Sequence, residues 1–151
     1  MRQKEETMKD ISYDILDILE KYGSDPGGIR KALEEETDPA VLYALSPVRE
    51  NLLEWYEWNP SGRLLQIGAD YGALTGMLSE KLKEVTVWDL RDEALEVVRR
   101  RYPEAENIRL IKRSFLEELE ESSFDYIWIP EFRRDLMPER GEQGIKALLT
   151  G

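Results

Sequence analysis

The chain has 151 residues, a length suited to one domain, and 21 Lys and Arg against 32 Asp and Glu give it a net charge of −11. That balance argues against nucleic acid or anionic lipid as a main partner, because phosphate groups would be repelled. With no His and no Cys, a Ser-His-Asp triad, a thiol nucleophile, a zinc knuckle and a disulfide framework are all excluded.

The opening MRQKEETMKD is charged and lacks the apolar stretch of a signal peptide. No run approaches the roughly 18 apolar residues of a membrane span, so the expected location is the cytoplasm, with no membrane partner. Ile11, Ile15, Ile18, Leu19 and Tyr22 recur at helical spacing, and Gly23 supplies a stop. Asp25-Pro26, Asp38-Pro39 and Ser46-Pro47 each offer a capping side chain followed by proline at a first helical position, so three more helices should start there. The last of them, PVRENLLEWYEW, carries Val48, Leu52, Trp55 and Tyr56 on a stripe that reads as core. Residues 1–60 are therefore expected to form a helical extension.

From Arg63 the pattern changes. RLLQI, EVTVWDL, NIRLIK and FDYIWI are short apolar or β-branched runs separated by the helical stretches GALTGMLSEKL, RDEALEVVRRRY and SFLEELEE. Repeated strand-helix units with right-handed crossovers imply an α/β doubly wound, mostly parallel sheet, here over residues 61–151. After Ile129 no convincing strand follows, so the sheet is expected to lack its last strands and to leave a free edge on FDYIWI. Residues 131–151 are expected to fold back over that edge, with a homodimer through it as the other way of covering it. Arg99, Arg100 and Arg101 read as a crossover-helix face.

The chemistry lies in LLQIGADYGALTG, residues 64–76. An apolar strand runs into Gly68, turns through Ala69-Asp70-Tyr71 to Gly72, and enters a helix, so the backbone can approach a ligand there. The next strand ends in Asp89, 21 residues after Gly68, at the distance expected for an acid that accepts both hydroxyls of an adenosine ribose. Asp70 stands where a dinucleotide fingerprint has its middle glycine, and a carboxylate beside pyrophosphate is repulsive by about 1 kcal/mol in water. Dinucleotides are disfavoured on that ground, and no GxxxxGK[ST] phosphate loop is present.

These segments resemble the class I S-adenosylmethionine-dependent methyltransferases, whose sheet is Rossmann-like. LLQIGADYGALTGMLSEK is similar to their first motif, VTVWDL to the next, NIRLIKRSF to the region flanking adenine, and FDYIWIPE to the fourth. The upstream LSPVRENLLEWY further resembles methyltransferase-like domains of clostridial-type bacteria. The resemblance implies S-adenosylmethionine as cofactor, held by Gln66, Gly68, Ala69, Asp70, Tyr71, Gly72, Asp89, Leu90, Ser114, Phe115 and Pro130. Gln66 stands where the family usually has Glu or Asp near the ligand's amino end, and Asp70 could itself supply the missing charge. No metal and no catalytic residue is assigned, although Tyr126 and Glu131 would be near if an acceptor hydroxyl needed a base. The implied function is methyl transfer to a small-molecule or glycan acceptor, the alternative being a non-catalytic methyltransferase-like ligand-binding or scaffold module. Substitution of Asp89 is expected to cost ligand affinity with little effect on melting, since the residue ends a strand.

Overall fold

A computed structural model describes residues 10–113 and 124–130. Helices α1 (Ser12–Tyr22), α2 (Pro26–Glu35) and α3 (Pro39–Leu45) begin the chain, and a 3-10 turn at Pro47–Glu50 runs into the single-turn α4 (Asn51–Glu54). The three Xaa-Pro starts behave as expected: the Asp25, Asp38 and Ser46 side chains accept from the N–H groups of Gly28, Ala40 and Val48. Gly23, at φ 83°, ends α1 with its N–H on the Leu19 carbonyl.

Strands and helices then alternate as β1 (Arg63–Ile67), α5 (Thr75–Lys81), β2 (Glu84–Asp89), α6 (Asp92–Arg101), β3 (Ile108–Lys112) and β4 (Tyr126–Trp128). The described strands form one parallel sheet in the order β3-β2-β1-β4, with Leu65 opposite Thr86 on one side and Ile127 on the other. Strand alternation sends Leu64, Val85 and Val87 to the face covered by α5 and α6, where they meet Leu74, Leu78, Leu95 and Val98. Leu65, Ile67 and Trp88 go to the other face with Ile111, Phe124 and Ile129. The N-terminal helices pack against α6: Ile11, Ile15, Leu19, Val41, Ala44 and Leu45 share a cluster with Val97.

The stripe on PVRENLLEWYEW is a correction. Val48, Leu52, Trp55 and Tyr56 are 69%, 56%, 75% and 44% exposed, so they are surface, not core. The 3-10 turn shifts the period, and the segment turns Arg49 and the partly buried Leu53 inward instead. The expected arginine triplet also divides: Arg99 and Arg100 pair with Glu96, whereas Arg101 donates to the carbonyls of Ala44 and Tyr71. Among the described residues β4 pairs only with β1, and Ile127 is 48% exposed. The expected helix at 114–121 and the expected cover by 131–151 lie outside the described residues.

Tyr102, after α6, packs its ring on α5 and donates its hydroxyl to the Gly72 carbonyl at 2.5 Å. A methyl group on Gly76 would meet that ring at 2.2 Å. Gly76→Ala is therefore expected to destabilise by about 1–3 kcal/mol, read as a lower denaturant midpoint with unchanged slope. An unshifted midpoint would mean that Tyr102 does not seat there.

Candidate ligand site at the carboxyl ends of β1 and β2

The turn after β1 is built from left-handed backbone. Gly68, Asp70, Tyr71 and Gly72 have φ of 92°, 45°, 53° and 72°. For Asp70 and Tyr71 this costs on the order of 1 kcal/mol each, so other contacts must hold the loop. Gln66 is one of them. Its amide, 2% exposed, donates to the carbonyls of Gly68 (2.9 Å) and Ala69 (3.0 Å) and accepts from the Thr75 hydroxyl (2.9 Å). A carboxylate would set oxygen against both carbonyls, so the departure to glutamine is what this loop shape requires.

Arg49 is the second contact. It is the single Lys or Arg between Lys31 and Arg63, and its Nη2 lies 2.6 Å from the Asp70 carboxylate, with both side chains about nine-tenths buried at 9% and 10% exposure. The guanidinium also stacks on Tyr43 at 4.1 Å. Its Nε and Nη1 are buried and have no hydrogen-bond partner. Asp70 is thus not a bare charge. It does not supply a spare carboxylate to the site, and the repulsion expected against pyrophosphate is largely compensated.

Pyrophosphate is disfavoured on different ground. The N–H groups of Gly68, Ala69, Gly72 and Ala73 already bond Trp88 O, Asp89 Oδ2, Ala69 O and Asp70 O. A phosphate cradle needs such donors unpaired and aimed outward.

Asp89 closes the site from β2. Its side chain is fully buried. Oδ2 accepts from Ala69 N (3.0 Å) and Arg91 Nη2 (3.3 Å), and Oδ1 from Arg91 N (3.0 Å) and Arg91 Nε (3.2 Å). Two loops are joined by one carboxylate. Burial works against the charge on Arg91, but the hydrogen bond and charge of Asp89 and the charge of Asp10, 3.7 Å away, outweigh it and hold the guanidinium above its ordinary value.

The remaining expected residues divide. Leu90, 43% exposed, and Pro130, partly buried, sit just beyond β2 and β4 at the same end of the sheet. Tyr71 turns the other way, its ring packed with the N-terminal helices and its hydroxyl 3.4 Å from Ile11 N. Tyr126 starts β4, and its hydroxyl accepts from Asn59 N at the entry end, which removes it as a base for this site. Ser114, Phe115 and Glu131 lie outside the described residues. Arg49 and Arg91 were missed by the sequence reading. For Arg49 the signal was available as a lone cation among Glu50, Glu54 and Glu57. A cleft of about 850 Å³ borders the connection into β3, lined by Asp25, Glu50, Glu80, Glu104 and Glu106 with Arg101, away from these carboxyl ends. Among the described residues no acidic group has the makings of a metal site, and no helix is long and apolar enough to cross a membrane.

A methyltransferase domain family model matches residues 65–141, about half of the chain. The fold is similar to phosphoethanolamine N-methyltransferase 1 of Haemonchus contortus, in complex with phosphoethanolamine and S-adenosylhomocysteine, at 20% identity and TM-score 0.51 over 78% of this chain and 25% of that one. It is also similar to a dimethyladenosine transferase from Plasmodium falciparum, at 18% identity and TM-score 0.51 over 76% of this chain and 38% of that one. A third likeness is to YjhP of E. coli, at 17% identity and TM-score 0.51 over 68% and 41%. The chain thus spans less than half the length of each of these structures. No curated protein matches the sequence.

Proposed function

The chain belongs to the methyltransferase domain family, and from that premise we propose that it binds S-adenosylmethionine at the carboxyl ends of β1 and β2 and transfers the methyl group to a small-molecule or glycan acceptor. S-adenosylmethionine is the cofactor, and when bound it supplies an electrophilic methyl group on a sulfonium centre. The residues present fit it. Asp89 stands at the end of β2 with its carboxylate oriented by Ala69 N and Arg91 N, where a ribose diol would be received. The left-handed turn at Gly68 lets the backbone approach the ligand, and Leu90 and Pro130 offer surface for the adenine. Arg49 has two buried donors without partners beside the turn, a donor set that suits the carboxylate of an amino-acid end. Gln66 and the Arg49–Asp70 pair fix the turn, so the protein's part in the transfer is positioning.

The observation that carries the reading is the Asp89–Ala69 contact, which joins the two halves of a nucleoside site. The Haemonchus structure holds phosphoethanolamine, which supports the small-molecule side of the acceptor reading; the likeness itself is of fold. A non-catalytic ligand-binding module is the second reading, favoured by the closure of Arg91 over Asp89.

Calorimetry with S-adenosylmethionine, S-adenosylhomocysteine and NAD tests the site. Binding of the two sulfur nucleosides and none of NAD is expected. NAD binding with no response to either sulfur ligand would reverse the assignment. Ligand binding without methyl transfer across a panel of small amine and sugar acceptors selects the second reading.

A further inference from the structure

A carboxylate has about four lone-pair positions, and Asp89 has four N–H donors on it: Ala69 N, Arg91 N, Arg91 Nε and Arg91 Nη2. The carboxylate is saturated. Two of those donors are backbone and fix its orientation. The other two belong to one flexible side chain and occupy the positions that two ribose hydroxyls would need.

We infer that the Arg91 guanidinium is an internal competitor for the ribose diol: it stands in for the two hydroxyls, and the nucleoside binds only as Arg91 gives up Asp89. The inference rests on the nucleoside-site reading above. Three features support it. The Asp89 side chain is fully buried whereas the arginine bonded to it is 24% exposed, so of the two it is Arg91 that meets solvent. A released Arg91 does not become an isolated buried charge, because Asp10 Oδ2 lies 3.7 Å from Nη1, an atom that has no hydrogen-bond partner while the side chain is turned to Asp89. Asp89, in turn, keeps both backbone donors when Arg91 leaves, so its rotamer survives the exchange. Asp10 precedes α1, so the displaced arginine would strengthen the tie between the N-terminal helices and the site.

The test is a calorimetric titration of S-adenosylhomocysteine and its 2′,3′-dideoxy analogue into the wild-type chain, Arg91→Ala and Arg91→Lys. Removing the competitor should tighten S-adenosylhomocysteine about tenfold, the scale of exchanging a pair of charge-assisted hydrogen bonds. The dideoxy analogue should gain nothing, since it asks nothing of Asp89. Arg91→Lys, which keeps the charge but cannot fork across both oxygens, should fall between and guards against a folding defect in the alanine variant. Equal gains for both ligands, or unchanged or weaker S-adenosylhomocysteine binding by both variants while the wild type binds, overturns the competitor and leaves the site reading standing. Failure of all three folded proteins to bind either ligand overturns the site reading and the competitor with it.

Discussion

Asp89→Asn should lower stability by about 3 kcal/mol and S-adenosylhomocysteine affinity by one to two orders of magnitude. The stability term follows from the contacts. Neutralising one partner of a buried ion pair typically costs about 3–5 kcal/mol, and the lower end applies because Arg91 is 24% exposed and keeps Asp10 within 3.7 Å. The asparagine fills the same space, so no cavity is added. Its amide nevertheless presents donors where Ala69 N and the arginine also donate, and the left-handed turn loses an anchor. The affinity term is the loss of charge-assisted acceptance of the ribose hydroxyls. Denaturant midpoints and calorimetry read the two separately. An unmoved midpoint would show that Asp89 does not hold the loops together, and unmoved affinity with a lowered midpoint would reduce it to a structural residue.

From the sequence alone, substitution of this residue by alanine is expected to leave melting nearly unchanged, because the residue lies at a strand end. The structure gives that argument a different premise, because the Asp89 side chain is fully buried and held by Ala69 N and Arg91 N from the loops after β1 and β2, which composition does not reveal. What was legible is what period and punctuation encode. The four strands appear within two residues of their apolar runs, the three Xaa-Pro helix starts are where capping chemistry puts them, and the glycine turn and Asp89 fall at adjacent strand ends. What was not legible is which face of a short helix turns inward. Val48, Leu52, Trp55 and Tyr56 satisfy a helical stripe, yet they are exposed, because the segment is half 3-10 and because burying Arg49 against Asp70 decides its rotation. A periodicity argument cannot rank one buried ion pair above four apolar side chains. It sees neither the partner 21 residues away nor the stack on Tyr43.

The Arg49–Asp70 pair carries the other large expected effect, and its design separates scaffold from site. Asp70→Ala should cost about 3 kcal/mol or more, since it leaves a guanidinium 9% exposed with Nε, Nη1 and now Nη2 lacking acceptors. Asp70→Gly should be milder by about 1 kcal/mol, because the native φ of 45° strains alanine and suits glycine. Arg49→Met, which keeps an apolar stem beside Tyr43 but removes the cation, should also destabilise by leaving Asp70 without its partner. The double variant Arg49→Met with Asp70→Gly should recover to within about 1 kcal/mol of the wild type, because replacing both members of a buried pair avoids an uncompensated charge. Stability alone would then present the pair as a replaceable brace. Ligand affinity decides whether it is more: with Arg49 supplying donors to the cofactor's carboxylate end, the double variant should remain folded and still bind S-adenosylhomocysteine at least tenfold more weakly, whereas wild-type affinity in that stable double variant would confine Arg49 to holding the turn.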